Sequence, residues 1–332
     1  MNPFTPCPRC GHVLPQPAPA CPVCGCLLGP LPPVEGKLLR NGEFRVIRRL
    51  DRGGMASLYL AEATSTGGLR AVKELRSPPN RKARATAEAM FHEEARLLSR
   101  LSREHPAIPR YYDSFMDSGS FYLVLEFVPG QNLQQYLTDR GGMLPVPEVI
   151  DYLRQVVDVL ATIHSLHPDP IIHGDIKPSN LVRRPDGQVA LVDFGLARAT
   201  VRMPAYVPSR SSAFGSPGYT PMEQWEGHPG PASDVFALGA TMHHLITGRN
   251  PRAAFTNLAK VNLAELSTLT NFPPITTLMP DVPPMLDTII MQMVRRRSAE
   301  RPTARDLKAR LSRLDAVLSP QAFGDNVETR ES

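Results

Sequence analysis

Residues 40–313 of this 332-residue chain predict an α+β fold in two lobes, with a separate cysteine-rich module in front. The first lobe, 40–127, is small and strand-rich; the second, 128–313, is larger and helical. Three observations carry this. Apolar residues alternate with polar ones at Phe44, Val46, Leu58, Leu60, Ala71 and Leu75, the period of half-buried strands. Val149, Leu153, Val156, Leu160 and Ile163 recur at helical spacing, which reads as one buried helix face. The first 33 residues hold ten prolines, few charges and all five cysteines. A chain of this length also exceeds one compact core of ordinary size.

In chain order, the module covers 1–28. It carries Cys7-x-x-Cys10 and Cys21-x-x-Cys24, with ten residues between the pairs. Two thiolates three positions apart on a tight turn, with glycine after the second, can bind one tetrahedral ion. The Cys10-Gly-His and Cys24-Gly steps resemble the knuckles of zinc ribbons. So short a segment has no adequate core, and zinc would supply its folding energy. Disulfides or a redox pair are the competing readings. The confinement of cysteine to this segment, with no signal-peptide pattern, argues for a reducing compartment and for zinc. Cys26 and His12 are expected to be bystanders, and the module to serve a protein partner or a structural role.

A semi-rigid Pro-rich linker over 29–39 follows. A helix-like segment spans Ala83 to Leu101, and Tyr122-Leu-Val-Leu-Glu-Phe-Val128 reads as a strand leading out of the small lobe. Pro145 and Pro147 sit where a helix would start. Val189 to Val192 is a short apolar strand. Phe236 to Ile246 and Met285 to Val294 are the most apolar helical segments, too short or too broken by polar residues to span a membrane. The tail over 314–332 is polar and expected to fray. The formal charge of +5 is modest for this length, so Arg81-Lys-Ala-Arg84 and Arg295-Arg-Arg297 read as solvated or substrate-facing surface rather than a nucleic-acid footprint. A cytoplasmic protein with no membrane span is expected.

Chemistry concentrates in two stretches, His173-Gly-Asp-Ile-Lys-Pro-Ser-Asn180 and Asp193-Phe-Gly195. Asp175 suits holding a hydroxyl, Lys177 neutralising a phosphate, and Asn180 with Asp193 offers the hard oxygen ligands Mg²⁺ prefers. Their order and spacing resemble the catalytic loop and metal motif of bacterial, eukaryotic-type Ser/Thr protein kinases. Further motifs keep the family's order over about residues 40 to 313: Ala71-Val-Lys73, Phe91-His-Glu-Glu-Ala95, the segment Tyr122 to Val128, Gly215 to Glu223, Ser233 to Gly239, and Arg301-Pro302.

The resemblance implies a bilobal protein kinase fold and transfer of the γ-phosphoryl of Mg²⁺-ATP (or Mn²⁺-ATP) to Ser or Thr of protein substrates. It implies that Lys73, paired with Glu94 (Glu93 the fallback), grips the α- and β-phosphates. Asp175 would orient the acceptor hydroxyl and take its proton, and Lys177 would offset charge on the phosphoryl. Asn180 and Asp193 would hold the metal. Leu50, Gly53, Leu58, Ala71 and Val182 would enclose the nucleotide, with Leu125 guarding the inner pocket and backbone groups of Glu126 and Val128 meeting adenine. Ser216 matches a hydroxyl that bonds the catalytic Asp and Lys, Glu223 pairs with Arg301, and Asp234 belongs to the protein-substrate apparatus.

Two departures stand out. The glycine-rich loop reads Leu50-Asp-Arg-Gly-Gly-Met-Ala-Ser-Leu58, with Asp51 and Ala56 at positions of the first and third glycines. An acidic side chain near phosphate would weaken nucleotide binding unless it points outward. Gly174 stands where the family usually has an Arg that pairs with a phosphate on the activation segment. Phosphorylation of Thr200, Ser209, Ser211 or Ser212 should therefore have less leverage here. A pseudokinase scaffold and a small-molecule phosphotransferase are the alternatives. Intact Lys73, Glu94, Asp175, Asn180 and Asp193 oppose the first, and Ser216 to Glu223, Asp234 and Arg301 oppose the second.

Overall fold

The structure, a computed structural model, describes residues 4–6, 13–15, 34–52, 56–76, 81–195, 197–199, 215–251 and 272–318. Near the N-terminus, β1 (Phe4–Pro6) and β2 (Val13–Pro15) pair antiparallel with Thr5 opposite Leu14. The small lobe is an antiparallel sheet of β3 (Leu38–Leu39), β4 (Phe44–Arg52), β5 (Ala56–Ala63), β6 (Gly68–Arg76), β7 (Tyr111–Asp117) and β8 (Ser120–Glu126), in the order β3-β4-β5-β6-β8-β7. Helix α1 (Arg81–Leu101) packs against β7 and β8. Leu38 and Leu39, which the sequence reading places in the linker, form the edge strand. Two residues are too few to show a strand period.

Strand alternation sorts the sheet's side chains onto two faces. Tyr59, Val72 and Val124 stand opposite one another and join Leu39, Phe44, Val46, Phe115 and Tyr122 in a buried cluster. Rings of Phe44 and Phe115, and of Phe115 and Tyr122, stack there at 5.7 and 5.2 Å. Leu58, Lys73 and Leu123 stand opposite one another on the other face. Leu123 and Phe121 continue from that face into the main core, where Phe91 of α1 stacks on Phe121 at 5.0 Å. The small lobe therefore turns its outer face to its own cluster and gives its inner face, with Lys73, to the cleft.

The large lobe starts with β9 (Gln131–Asn132) and α2 (Leu133–Asp139). Gly130 (φ 131°) precedes them, and a Cβ there would lie 2.0 Å from the Arg183 carbonyl oxygen, so only glycine allows this close approach of backbones. Helix α3 (Val146–His164) starts behind Pro145 and buries Val149, Leu153, Val156, Leu160 and Ile163. The short strands β10 (Ile171–Ile172), β11 (Leu181–Arg183), β12 (Val189–Leu191) and β13 (Arg198–Ala199) follow. They form the sheets β12-β11-β9 and β10-β13.

A four-residue helix α4 (Met222–Trp225) precedes α5 (Pro231–Thr247), in which every residue from Ser233 to Ile246 is buried. A helix buried on every side sits at the centre of its lobe, and its polar residues Ser233, Asp234, Thr241, His243 and His244 are buried with it. α6 (Ile275–Leu278), α7 (Pro284–Met293) and α8 (Ala304–Leu318) complete the lobe. A Cβ on Gly239 would meet Met293 Cβ at 2.7 Å and Val294 Cγ1 at 2.9 Å, which is how α5 and α7 come together. α8 continues to Leu318, four residues past Leu314, where the sequence reading places a frayed tail. Asp315 to Leu318 contains no glycine or proline to break the helix.

Candidate active site

Lys73 lies mid-strand on β6, where pairing on both sides holds its backbone rigid. Its Nζ donates to Glu94 Oε1 of α1 at 2.8 Å and to Asp193 Oδ1 at 2.9 Å. Burial alone would lower the Lys73 pKa, but the charges of Asp193 and Glu94 outweigh it and raise the pKa. The Lys73 charge in turn holds the Asp193 carboxyl well below the usual range. Asp193 takes a left-handed backbone (φ 64°) at the end of β12, and its side chain is 49% exposed. Gly195 closes the turn, and a Cβ on it would sit 2.8 Å from Lys73 Nζ.

A second polar group faces this one from the loop between β10 and β11. Asp175 Oδ1 accepts from Ser216 Oγ at 2.8 Å, and its Oδ2 accepts from Lys177 Nζ at 2.6 Å. Lys177 Nζ also donates to Ser216 Oγ at 2.8 Å. Asn180 Nδ2 donates to the Asp175 carbonyl at 2.8 Å and to Asp175 Oδ2 at 3.1 Å. Both amide hydrogens are thereby engaged and the orientation of the Asn180 amide is set.

Behind this group the backbone is clamped from α5. Asp234, fully buried, accepts the N–H of His173 at 2.9 Å and of Gly174 at 2.8 Å, and also His164 Nε2–H at 2.9 Å. The His173 ring accepts the Asp175 N–H at Nδ1, 3.2 Å away, so the proton is on Nε2, which donates to the Val192 carbonyl at 3.2 Å. Burial pushes the His173 pKa down, which keeps this one tautomer neutral. One imidazole thus joins the Asp175 loop to the strand leading to Asp193.

Arg301 is buried, and all five of its N–H groups have acceptors. Nη1 and Nη2 reach Glu223 at 2.5 and 3.2 Å; carbonyls of Ala232, Arg295 and Arg296 take the rest at 2.7–3.0 Å. Glu223 also accepts from Ser233 Oγ at 2.9 Å. This fork fixes α4 beside α5.

Among the nucleotide-pocket expectations, Leu50, Leu58, Ala71, Leu125 and Val182 are each half-buried and Val128 is buried. The Glu126 N–H donates to the Arg110 carbonyl at 2.8 Å, and its carboxylate receives Arg184 Nη2 at 3.1 Å. Asp51 stands opposite Leu58 at the end of β4 and is exposed. Gly53 lies outside the described residues, as do Thr200, Ser209, Ser211, Ser212, Cys7, Cys10, Cys21 and Cys24. Among the described residues, no group of three or more His, Cys, Asp or Glu could hold a metal ion.

Three contributors escape sequence reasoning. Gln224 donates from Nε2 to the Gly174 carbonyl at 2.7 Å, His164 shares Asp234, and Gly130 joins the lobes' connection to β11. Gln224 follows Glu223 in a four-residue helix with no period to mark it as buried. Adjacency to Glu223 is the one available signal.

A strand-rich lobe and a helical lobe, with a lysine–carboxylate pair and an Asp-Lys-Asn loop facing each other between them, form the two-lobed kinase architecture. Residues 44–311 match the family model described as the protein kinase domain, and the chain belongs to that family. It is 36% identical over 221 residues, 64% of the chain, to serine/threonine-protein kinase C of Synechocystis sp., and 33% identical over 258 residues, 74% of the chain, to kinase B of the same organism. It is 31% identical over 274 residues, 81% of the chain, to serine/threonine-protein kinase PrkC of Bacillus subtilis. The chain spans 41%, 42% and 40% of the length of these relatives.

Proposed function

We propose that this chain transfers the γ-phosphoryl group of Mg²⁺-ATP to serine or threonine hydroxyls of protein substrates. The Asp175–Ser216–Lys177 triangle carries the reading: a carboxylate and a cation held together by a hydroxyl on the segment that an incoming peptide would meet. Asp175 orients the acceptor hydroxyl and receives its proton, while Lys177 offsets charge on the transferring group. Lys73, braced by Glu94, holds the α- and β-phosphates. Catalysis is then positioning plus electrostatics.

The ionised, half-exposed Asp193 and the amide oxygen of Asn180 are the hard donors Mg²⁺ takes. The metal, when bound, would offset phosphate charge. Leu50, Gly53, Leu58, Ala71, Val182 and Leu125 enclose the base, with the Glu126 and Val128 backbone along its edge. The exposure of Asp51 supports a loop whose acid stays off the phosphates. The test is transfer from labelled ATP with Mg²⁺ to the protein itself and to a Ser/Thr-rich substrate. Transfer to hydroxyl residues that vanishes in Asp193→Ala is the expected result. Nucleotide binding without transfer would leave a scaffold instead.

The sequence division into a zinc ribbon (1–28), linker (29–39), kinase lobes (40–127 and 128–313) and tail (314–332) is adjusted only where Leu38–Leu39 join the small-lobe sheet and α8 runs to Leu318, with Cys7, Cys10, Cys21 and Cys24 holding one Zn²⁺. The β1-β2 ladder supports this, since its arms bracket Cys7 and Cys10 in sequence. Four thiolate ligands suit a reducing compartment such as the cytoplasm, and no described helix is long and apolar enough to cross a membrane. The ribbon serves a protein partner. About one zinc per chain, lost when the four cysteines become serine, is expected from elemental analysis; an unchanged metal content would end the assignment.

A further inference from the structure

We propose that Gln224 is a positioning residue for phosphoryl transfer, holding Asp175 and Ser216 in register through a hydrogen bond to the Gly174 carbonyl and close packing beside Gly215, the residues that precede them. This rests on the kinase reading above. Gln224 is 1% exposed on α4, and α4 is anchored by the neighbouring Glu223–Arg301 fork. Its Nε2 donates to the Gly174 carbonyl at 2.7 Å. That carbonyl belongs to the peptide joining Gly174 to Asp175, whose N–H is taken by His173 Nδ1. The peptide plane is therefore gripped at both ends, and the direction of the Asp175 side chain follows from it.

The same amide lies close to the other side of the site. A Cβ on Gly215 would lie 3.0 Å from Gln224 Nε2 and 2.3 Å from Thr220 Oγ1, and the Gly215 backbone is left-handed (φ 117°). Ser216 comes next and donates to Asp175 Oδ1. One buried amide is wedged between the residue before the base and the residue before its hydroxyl partner. Gly174 presents no side chain toward this region, and the hydrogen bond to its carbonyl from α4 adds a backbone tie to the side-chain ties that Ser216 makes with Asp175 and Lys177.

The test uses the full chain with Gln224→Leu, which keeps size and removes the donor, and Gln224→Glu, which keeps shape and exchanges donor for acceptor. Both should lower kcat by about ten- to a hundredfold, with Mg²⁺-ATP affinity and KM for ATP within about twofold of the unaltered protein. The Gln224→Glu deficit should shrink as pH falls from about 8 to about 5.5, because a protonated carboxyl donates again. The Gln224→Leu deficit should not. Unchanged kcat in Gln224→Leu, or a Gln224→Glu deficit that ignores pH, overturns the assignment. If neither variant binds Mg²⁺-ATP, Gln224 is a folding residue and the assignment also falls. If the unaltered protein transfers no phosphate, the kinase reading fails and this inference with it; an active protein with indifferent variants sinks this inference alone.

Discussion

At the scale of single residues, the site depends on where side chains are excluded as much as on where they point. Gly195 is the clearest instance. Its missing Cβ leaves room for Lys73 Nζ, the far end of a flexible chain, so Gly195→Ala should fold normally. The ammonium would still be displaced from Asp193, and a displacement near 1 Å is expected to lower kcat by up to about a hundredfold; kcat beside an unchanged thermal midpoint checks this. Arg301 is the opposite case. Arg301→Ala would strip the fork from Glu223 in a buried setting, and breaking such a pair costs about 3–5 kcal/mol, readable by denaturant unfolding. Lys73, Glu94, Asp175, Asn180 and Asp193 were legible because each sits in a motif with fixed spacing, and the structure brings them together. Gln224 and His164 were not, because one long-range hydrogen bond from an isolated polar residue leaves no period or motif behind.

At the scale of elements, period decided what could be read. β4 to β6 alternate, α3 buries one stripe, and both patterns were visible. β3 and α4 are too short for any period, and the run of α8 beyond Leu314 adds only four described residues, about one turn, which is too few to mark it. The contact of α5 with α7 was hidden as well, since a glycine inside a helix reads as a mild liability of about 1 kcal/mol. Here Gly239 faces Met293 and Val294 at distances no added carbon can occupy. Gly239→Leu is expected to cost about 3 kcal/mol by overpacking, seen as a lower denaturant midpoint with an unchanged slope. An undiminished midpoint would mean the two helices can separate freely.

At the scale of the molecule, two lobes and their order along the chain follow from composition and period, whereas the cleft between them is a tertiary product. Burial also sets how the whole fold responds to acid. His173, His243 and His244 all have pKa values lowered by burial, His244 to about 4, and His244 bonds the Tyr219 hydroxyl at 2.7 Å. A histidine kept neutral when folded takes up a proton more readily when unfolded. Stability is therefore full above about pH 6.5 and falls as the pH drops toward about 4, by about 3 kcal/mol from His244. Thermal midpoints across that window should decline, and His244→Gln should flatten the decline. Helix α5 has a separate consequence. With no residue from Ser233 to Ile246 at the surface, its amides have no local route to solvent and should exchange with deuterium only when the whole large lobe opens. Their exchange rate is then a gauge of global stability. Because a ligand stabilises the folded state by RT ln(1 + [L]/Kd), slowing of α5 exchange by Mg²⁺-ATP would report nucleotide affinity in a protein that never turns over.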